Sequence, residues 1–207
     1  MSTADRIDKH IHRAVDVLQS GGLIAFPTET YYGLGVDPFN RGALKKLFEV
    51  KQRAAHLPIL VLIESITQAG QLARLPLPPL FLQLAQQFWP GPLTLICRAA
   101  GHLPRELTGY TDSIGMRHSS NTIAQQLVKN FGRPVTATSA NVSGHIPACN
   151  PSQVRAIFSE KIDYVVDGGE TPGGKGSTLV RCEADSIECI RKGVLNYSMV
   201  LDMLDNE

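Results

Sequence analysis

Residues 26–35 read FPTETYYGLG: the apolar run LIAF of residues 23–26 stops at a proline, and the chain becomes small, polar and glycine-punctuated. A buried strand delivers a binding loop in this way. Thr28 and Thr30 offer hydroxyls and Glu29 a carboxylate, while Gly33 and Gly35 permit either positive φ or close backbone approach. The same residues also suit an ordinary strand-to-helix turn. Lys51 and Arg53 lie two apart where a helical pattern ends. In extended backbone such residues project to one side and could grip one polyanion; equally, they could complement the dipole of the helix they close. Residues 136–144, TATSANVSG, again switch from strand to a hydroxyl- and amide-rich loop, where amides beside Ser139 and Asn141 suit phosphate oxygens or a capped turn. Arg117, closing SIGMR, and Arg191, after a short apolar run, are strand-end cations that could hold a carboxylate in bidentate fashion or be solvated surface arginines.

Other chemistries find little support. In DGGETPGGKGST, residues 167–178, Gly169 and Gly174-Lys175 fit a Walker A loop, but Gly176 takes the hydroxyl position and apolar TLV follows where a helix should begin. The segment reads instead as a glycine loop ending in the polar pair Ser177-Thr178, with glycines at 168, 169, 173, 174 and 176 that make it a candidate lid or an unstructured turn. There is no GxGxxG, no HExxH and no serine elbow. Cys97, Cys149, Cys182 and Cys189 form no CxxC pair and read as reduced packing thiols. Cations and hydroxyls at strand ends suit reactions accelerated by positioning and charge neutralisation, nucleotidyl transfer among them.

The elements that would position these groups alternate between two periods. Residues 5–19 put Ile7, Ile11, Ala14, Val15 and Leu18 on one helical face, ended by Gly21-Gly22. Asn40 caps an expected helix through Val50 with Leu44, Leu47 and Phe48 inward, and PILVLI at 58–63 reads as a strand buried on both faces. A helix carrying Leu80, Leu84 and Phe88 runs into the rigid WPGP turn and a strand at 93–97. Strands are expected at 113–117, 134–138, 164–166, 178–180 and 188–190, and helices at 122–131, from Pro151 with Val154, Ile157 and Phe158 inward, and at 197–204. Interleaving of this kind predicts an α/β fold, a sheet with helices packed on it, and the length favours one domain, residues 1–207.

With 43% hydrophobic and 19% charged residues the composition is that of a soluble globular protein. No apolar run approaches the roughly 18 residues of a membrane span, and the polar N-terminal stretch reads as neither signal nor anchor, which points to the cytoplasm. Twenty basic residues against 19 acidic ones give a formal charge of +1, so no global field makes nucleic-acid binding the default.

Taken in order, FPTETYYGLG, KQR, FWPGPLT, SIGMR, TSANVSG, DGG and GSTLV resemble the YrdC/Sua5 family, the threonylcarbamoyl-AMP synthases, from about residue 5 to residue 193. The resemblance implies a short, single-domain member, a twisted mixed sheet with flanking helices and a concave, positively charged face. It implies synthesis of L-threonylcarbamoyl-adenylate from L-threonine, bicarbonate and ATP with release of pyrophosphate, for the t6A modification of tRNA, with Mg2+ accompanying ATP and metal ligands unknown. By resemblance Lys51, Arg53, Ser139 and Asn141 hold the ATP phosphates, with Lys51 and Arg53 the catalytic cations. Thr30, Arg117 and Ser177 lie on the threonine side, and Ser113 and Arg191 on the nucleotide side. Implied partners are a downstream threonylcarbamoyl transferase machinery and tRNA itself. Leu57 and Leu62 stand where many members carry asparagine and histidine. SIGMRHSSN and IRKGV also resemble YciO-type paralogues, so the competing expectation is an RNA- or nucleotide-binding module without synthase activity.

Overall fold

A computed structural model describes residues 3–205; the first two and last two residues of the expected domain lie outside the described residues. In chain order the elements are α1 (Thr3–Gln19), β1 (Ile24–Pro27), β2 (Tyr32–Gly35), α2 (Arg41–Lys51), β3 (Val61–Leu62), α3 (Ile66–Ala69), α4 (Pro79–Phe88), β4 (Leu93–Arg98) and β5 (Ser113–Arg117). They continue with α5 (Thr122–Phe131), β6 (Val135–Thr136), β7 (Thr138–Ser139), α6 (Pro151–Phe158), a 3-10 turn (Ser159–Lys161), β8 (Tyr164–Val165), β9 (Thr178–Cys182), β10 (Ile187–Arg191) and α7 (Tyr197–Asp205). No helix among the described residues is long and apolar enough to cross a membrane.

The strands form two mixed sheets, a six-stranded one in the order β10-β9-β4-β5-β3-β6 and a four-stranded one in the order β7-β2-β1-β8. β6 and β7 follow each other in the chain yet belong to different sheets, so the passage through Ala137 joins the two. Thr136 seals the joint: its amide donates to Val36 O and its hydroxyl accepts the Val36 amide at 2.9 Å. Strand period then sorts the large sheet into two faces. Leu93, Leu95, Cys97, Ile114, Met116, Val180 and Cys182 enter a core with Leu44 and Leu47 of α2 and Phe81 and Leu84 of α4. The alternate residues, including Thr94, Ser113, Gly115, Arg117 and Arg181, belong to the other face. A second core packs α1 and α5 against Ile24, Phe26 and Leu62. Burial pushes the Cys97 and Cys182 thiols up to about 12, as befits packing groups.

Most helices stand where the pattern puts them, because their caps are written in side chains. Asn40, Asn121 and Asn150 each accept a backbone amide at the start of α2, α5 and α6. Three details differ. The buried face of α4 centres on Phe81, Leu84 and Ala85, with Leu80 and Phe88 only partly covered. Ile157 is exposed, since Pro151, Val154 and Phe158 already complete the inner stripe of α6. The run PILVLI supplies only two ladder residues, Val61 and Leu62, which are buried toward the two different cores.

FPTETYYGLG is a hairpin rather than one long loop: β1 and β2 pair antiparallel from Ile24↔Gly35 to Pro27↔Tyr32, around the turn of residues 28–31. Neither Gly33 nor Gly35 has positive φ. Close approach is the reason for glycine at 35, where a Cβ would lie 2.7 Å from Phe26 Cε1 and 2.9 Å from Val135 Cγ1. Gly35→Ala is therefore expected to cost about 1–3 kcal/mol by overpacking. Thermal unfolding should show a fall of roughly 2–4 °C per kcal/mol, and an unchanged midpoint would contradict the packing described.

Candidate functional site

A cavity of about 270 Å³ opens where the hairpin turn, the end of α2, the end of β5, β7 and the β9–β10 pair converge. Three guanidinium groups, Arg53, Arg117 and Arg191, line it together with the hydroxyls of Thr28, Thr30, Thr138, Ser139 and Ser177. Pairing of β7 with β2, Gly33 opposite Ser139, brings TSAN beside the hairpin. Of the residues singled out from sequence, Thr30, Arg53, Arg117, Ser139, Ser177 and Arg191 line this cavity. Lys51 and Asn141 are buried one layer behind it. Ser113 sits roughly 13 Å along β5 from Arg117, on the same sheet face, in a second hollow of about 760 Å³ shared with Arg98 and Arg181.

Lys51 does not project beside Arg53 from extended chain. It is the last residue of α2, and Gln52 follows in the left-handed region at φ 51°, so the premise of equal projection fails. Its ammonium turns inward to the backbone oxygen of Ser139, to Asn141 O at 3.1 Å and Asn141 Oδ1 at 2.8 Å, with Ser139 Oγ at 3.4 Å. Three of these acceptors are carbonyl oxygens, matching the three protons of an ammonium. Burial, then the neighbouring Arg53 cation, pull Lys51 down from 10.5 to about 7. The loop is fixed from its other side as well: Ser139 Oγ donates to Asn141 Oδ1 at 2.7 Å, Asn141 Nδ2 donates to His145 O at 2.6 Å, and the Ser143 amide donates to Lys51 O.

The lining arginines are held mainly by backbone. Arg53 donates from Nε to Leu57 O at 3.2 Å and from Nη2 to Pro58 O at 2.8 Å. Leu57 thus contributes a carbonyl to the site while its side chain is exposed, and Leu62 belongs to the core under α1 and α5. Arg191 donates from Nε and Nη2 to Ser177 O at 3.1 and 2.8 Å. Ser177 Oγ in turn meets Thr94 Oγ1 at 2.8 Å, both hydroxyls buried. Burial lowers the pKa of all three guanidiniums, and for Arg117 the Glu29 carboxylate opposes that fall.

The glycine segment after Asp167 is tied to the hairpin at consecutive residues. Gly173 N donates to Thr30 O at 2.7 Å, Tyr31 OH to Gly174 O at 2.8 Å and Tyr32 OH to Gly169 O at 2.8 Å. It leads into β9, not into a helix, so it lacks the helix terminus of a Walker A loop. Thr94, Tyr31 and Tyr32 were not singled out from sequence, because a hydroxyl in a strand and two adjacent tyrosines carry no spacing signal. No carboxylate, thiol or imidazole is among the residues that line the cavity. Such a surface can bind and orient polyanions and neutralise charge; it offers no nucleophile–base pair.

Comparison with known proteins agrees with this architecture. The Sua5/YciO/YrdC family model, described as "Telomere recombination", matches residues 16–193. A protein of Pyrococcus abyssi named threonylcarbamoyl-AMP synthase is 38% identical over 181 residues, which are 87% of this chain and 53% of the relative. Its Vibrio cholerae namesake is 36% identical over 189 residues, 89% of this chain and 98% of the relative. Among solved structures, P. abyssi Sua5 complexed with L-threonine has a TM-score of 0.90 at 36% identity, covering 94% of this chain and 57% of that one. E. coli YciO has a TM-score of 0.82 at 25% identity, covering 91% of each chain. The chain spans little more than half of the P. abyssi and Bacillus subtilis relatives, 53% and 56%. A family model matched over residues 16–193, with relatives above 30% identity across most of the chain, shows that it belongs to the Sua5/YciO/YrdC family.

Proposed function

We propose that this chain is a threonylcarbamoyl-AMP synthase, joining L-threonine, bicarbonate and ATP with release of pyrophosphate. The observation that carries the proposal is the convergence of three anchored guanidiniums and two hydroxyl-bearing turns on one cavity. In this reading Arg117 takes the threonine carboxylate, with Thr30 and Ser177 at its other polar groups. Arg53 and Ser139 take the phosphates, while Lys51 and Asn141 hold the loop that presents Ser139. Arg191 lies between the two substrates, and the nucleotide extends along the open sheet face toward Ser113. The threonine amine captures CO2 with loss of a proton, or bicarbonate with loss of water, and the resulting N-carboxylate attacks the α-phosphorus as pyrophosphate leaves. Fixed cations offset charge on the phosphates throughout, so no covalent intermediate with the protein is required.

The cavity lining offers Mg2+ no carboxylate. The ion would arrive as the counter-ion of the triphosphate rather than in a protein cage. The product is a labile mixed anhydride, and in this reading it passes to a threonylcarbamoyl transferase acting on tRNA, with a cytoplasmic setting proposed for both. A net charge of +1 makes non-specific RNA binding the weaker reading, and the P. abyssi Sua5 structure matches more closely than E. coli YciO.

Pyrophosphate release should require all three substrates, and omission of threonine or bicarbonate should abolish it. Arg53→Ala should lower turnover by about a hundredfold or more with the circular dichroism spectrum retained, since its bonds go to an exposed loop. Near-parental turnover would sink the assignment of Arg53, and tight RNA binding without turnover would sink the synthase reading.

Lys51 supplies a second, independent check. With its proton released near 7 in the folded chain and at 10.5 when exposed, the unfolded chain holds the extra proton between those values. The parent should therefore gain stability relative to Lys51→Met as pH rises from 7 toward 10. A falling difference would mean that the three carbonyl oxygens keep the ammonium charged. Phosphates arriving next to Ser139 favour the charged form, so ATP binding near pH 8 should take up a proton, seen by calorimetry as heats that vary with buffer ionisation enthalpy.

A further inference from the structure

Arg117 is held differently from the other two lining arginines. Arg53 and Arg191 rest on backbone carbonyls, whereas Arg117 Nη1 lies 3.4 Å from Glu29 Oε1, with both side chains largely buried. Among the described residues Arg117 Nε and Glu29 Oε1 have no hydrogen-bond partner. Ser119 Oγ donates to the other carboxylate oxygen, Glu29 Oε2, and accepts the Asn121 amide at 3.2 Å, so Glu29 is fastened to the loop between β5 and α5. Arg117 lines the cavity and Glu29 does not.

We infer that Glu29 is a positioning residue, acting through Arg117: it aims the guanidinium at the cavity and offsets its charge without touching the substrate. The spacing supports this division of labour. A saturated guanidinium–carboxylate pair closes to about 2.7–2.9 Å in a fork that occupies the cation. At 3.4 Å Glu29 orients Arg117 and leaves donors for a second carboxylate. Without Glu29 a long, rotamer-rich side chain would carry an uncompensated charge in a dry place, and solvent would draw it out of register with Thr30 and Ser177. The inference rests on Arg117 taking the threonine carboxylate, as proposed above.

Glu29→Gln, Glu29→Asp and Ser119→Ala in the full chain test it, by steady-state kinetics and by 1H–15N spectra of the arginine Nε–H groups, with Arg117 assigned through Arg117→Lys. In Glu29→Gln the KM for L-threonine should rise roughly ten- to a hundredfold, the order expected for one charge-assisted contact, with kcat and the KM for ATP little changed. Glu29→Asp should recover part of the loss, and the Arg117 signal should broaden most in Glu29→Gln. A threonine KM within twofold of the parent, or equal rises for both substrates, overturns the inference. Should Glu29→Gln not fold, Ser119→Ala keeps both charges and should show the same KM split to a smaller degree; no split overturns it. Should the parent show no threonine-dependent release, the functional reading fails, and the spectra still decide whether Glu29 holds Arg117.

Discussion

The ammonium of Lys51 is the interaction on which the candidate site is assembled. It ends α2, and its acceptors belong to the last residue of β7 and to the loop that follows. A single buried cation thus welds a helix terminus to a strand end about 90 residues away. Removing one partner from such a knot leaves carbonyl oxygens without donors in a dry interior, which costs more than the bonds themselves contribute. The hairpin depends on the same joint, because the Ala140 amide inside this loop donates to Tyr32 O.

From there the electrostatics follow a consistent pattern. Arg53 and Arg191 are steadied by carbonyl dipoles, which orient a cation and do not cancel its charge. The cavity therefore keeps a positive potential suited to a triphosphate while its donors are already aimed, so little reorganisation remains when charge develops. Arg117 alone among the lining arginines faces a carboxylate, and it is the one to which the proposed function assigns the threonine carboxylate rather than the phosphates.

How much of this was legible in the sequence depended on the range of the signal. Local signals worked: asparagine caps, helical stripes and the apolar strand runs fixed α2, α5, α6, β4 and β5 to within a residue or two. Glycines at 33 and 35 hid β2, since they interrupt the Tyr32–Leu34 alternation that marks a strand, and the purpose of Gly35, room for Phe26 and Val135, lies in the tertiary structure. The division into two sheets was equally invisible, because it turns on the one-residue passage between β6 and β7. Residue types in the segments around Thr30, Lys51, Ser139 and Ser177 announced a polar site, and order along the chain announced the family. Spacing could not tell that Lys51 points inward, that Ser113 lies a strand's length from Arg117, or that Glu29 meets Arg117 across 88 positions of sequence.

Carbonyl anchoring has a consequence for how such a site can drift. A backbone oxygen is present whatever side chain a position carries, so the supports of Arg53 at residues 57 and 58 and of Arg191 at residue 177 survive most substitutions there. Position 57 is a case in point: Arg53 meets the carbonyl of a leucine whose side chain is exposed. Mutational robustness is thereby uneven across the cavity: two arginines are insured against change in their neighbours, while Arg117 depends on the identity of a single glutamate. Divergence among relatives should accumulate freely around the former and stall around the latter.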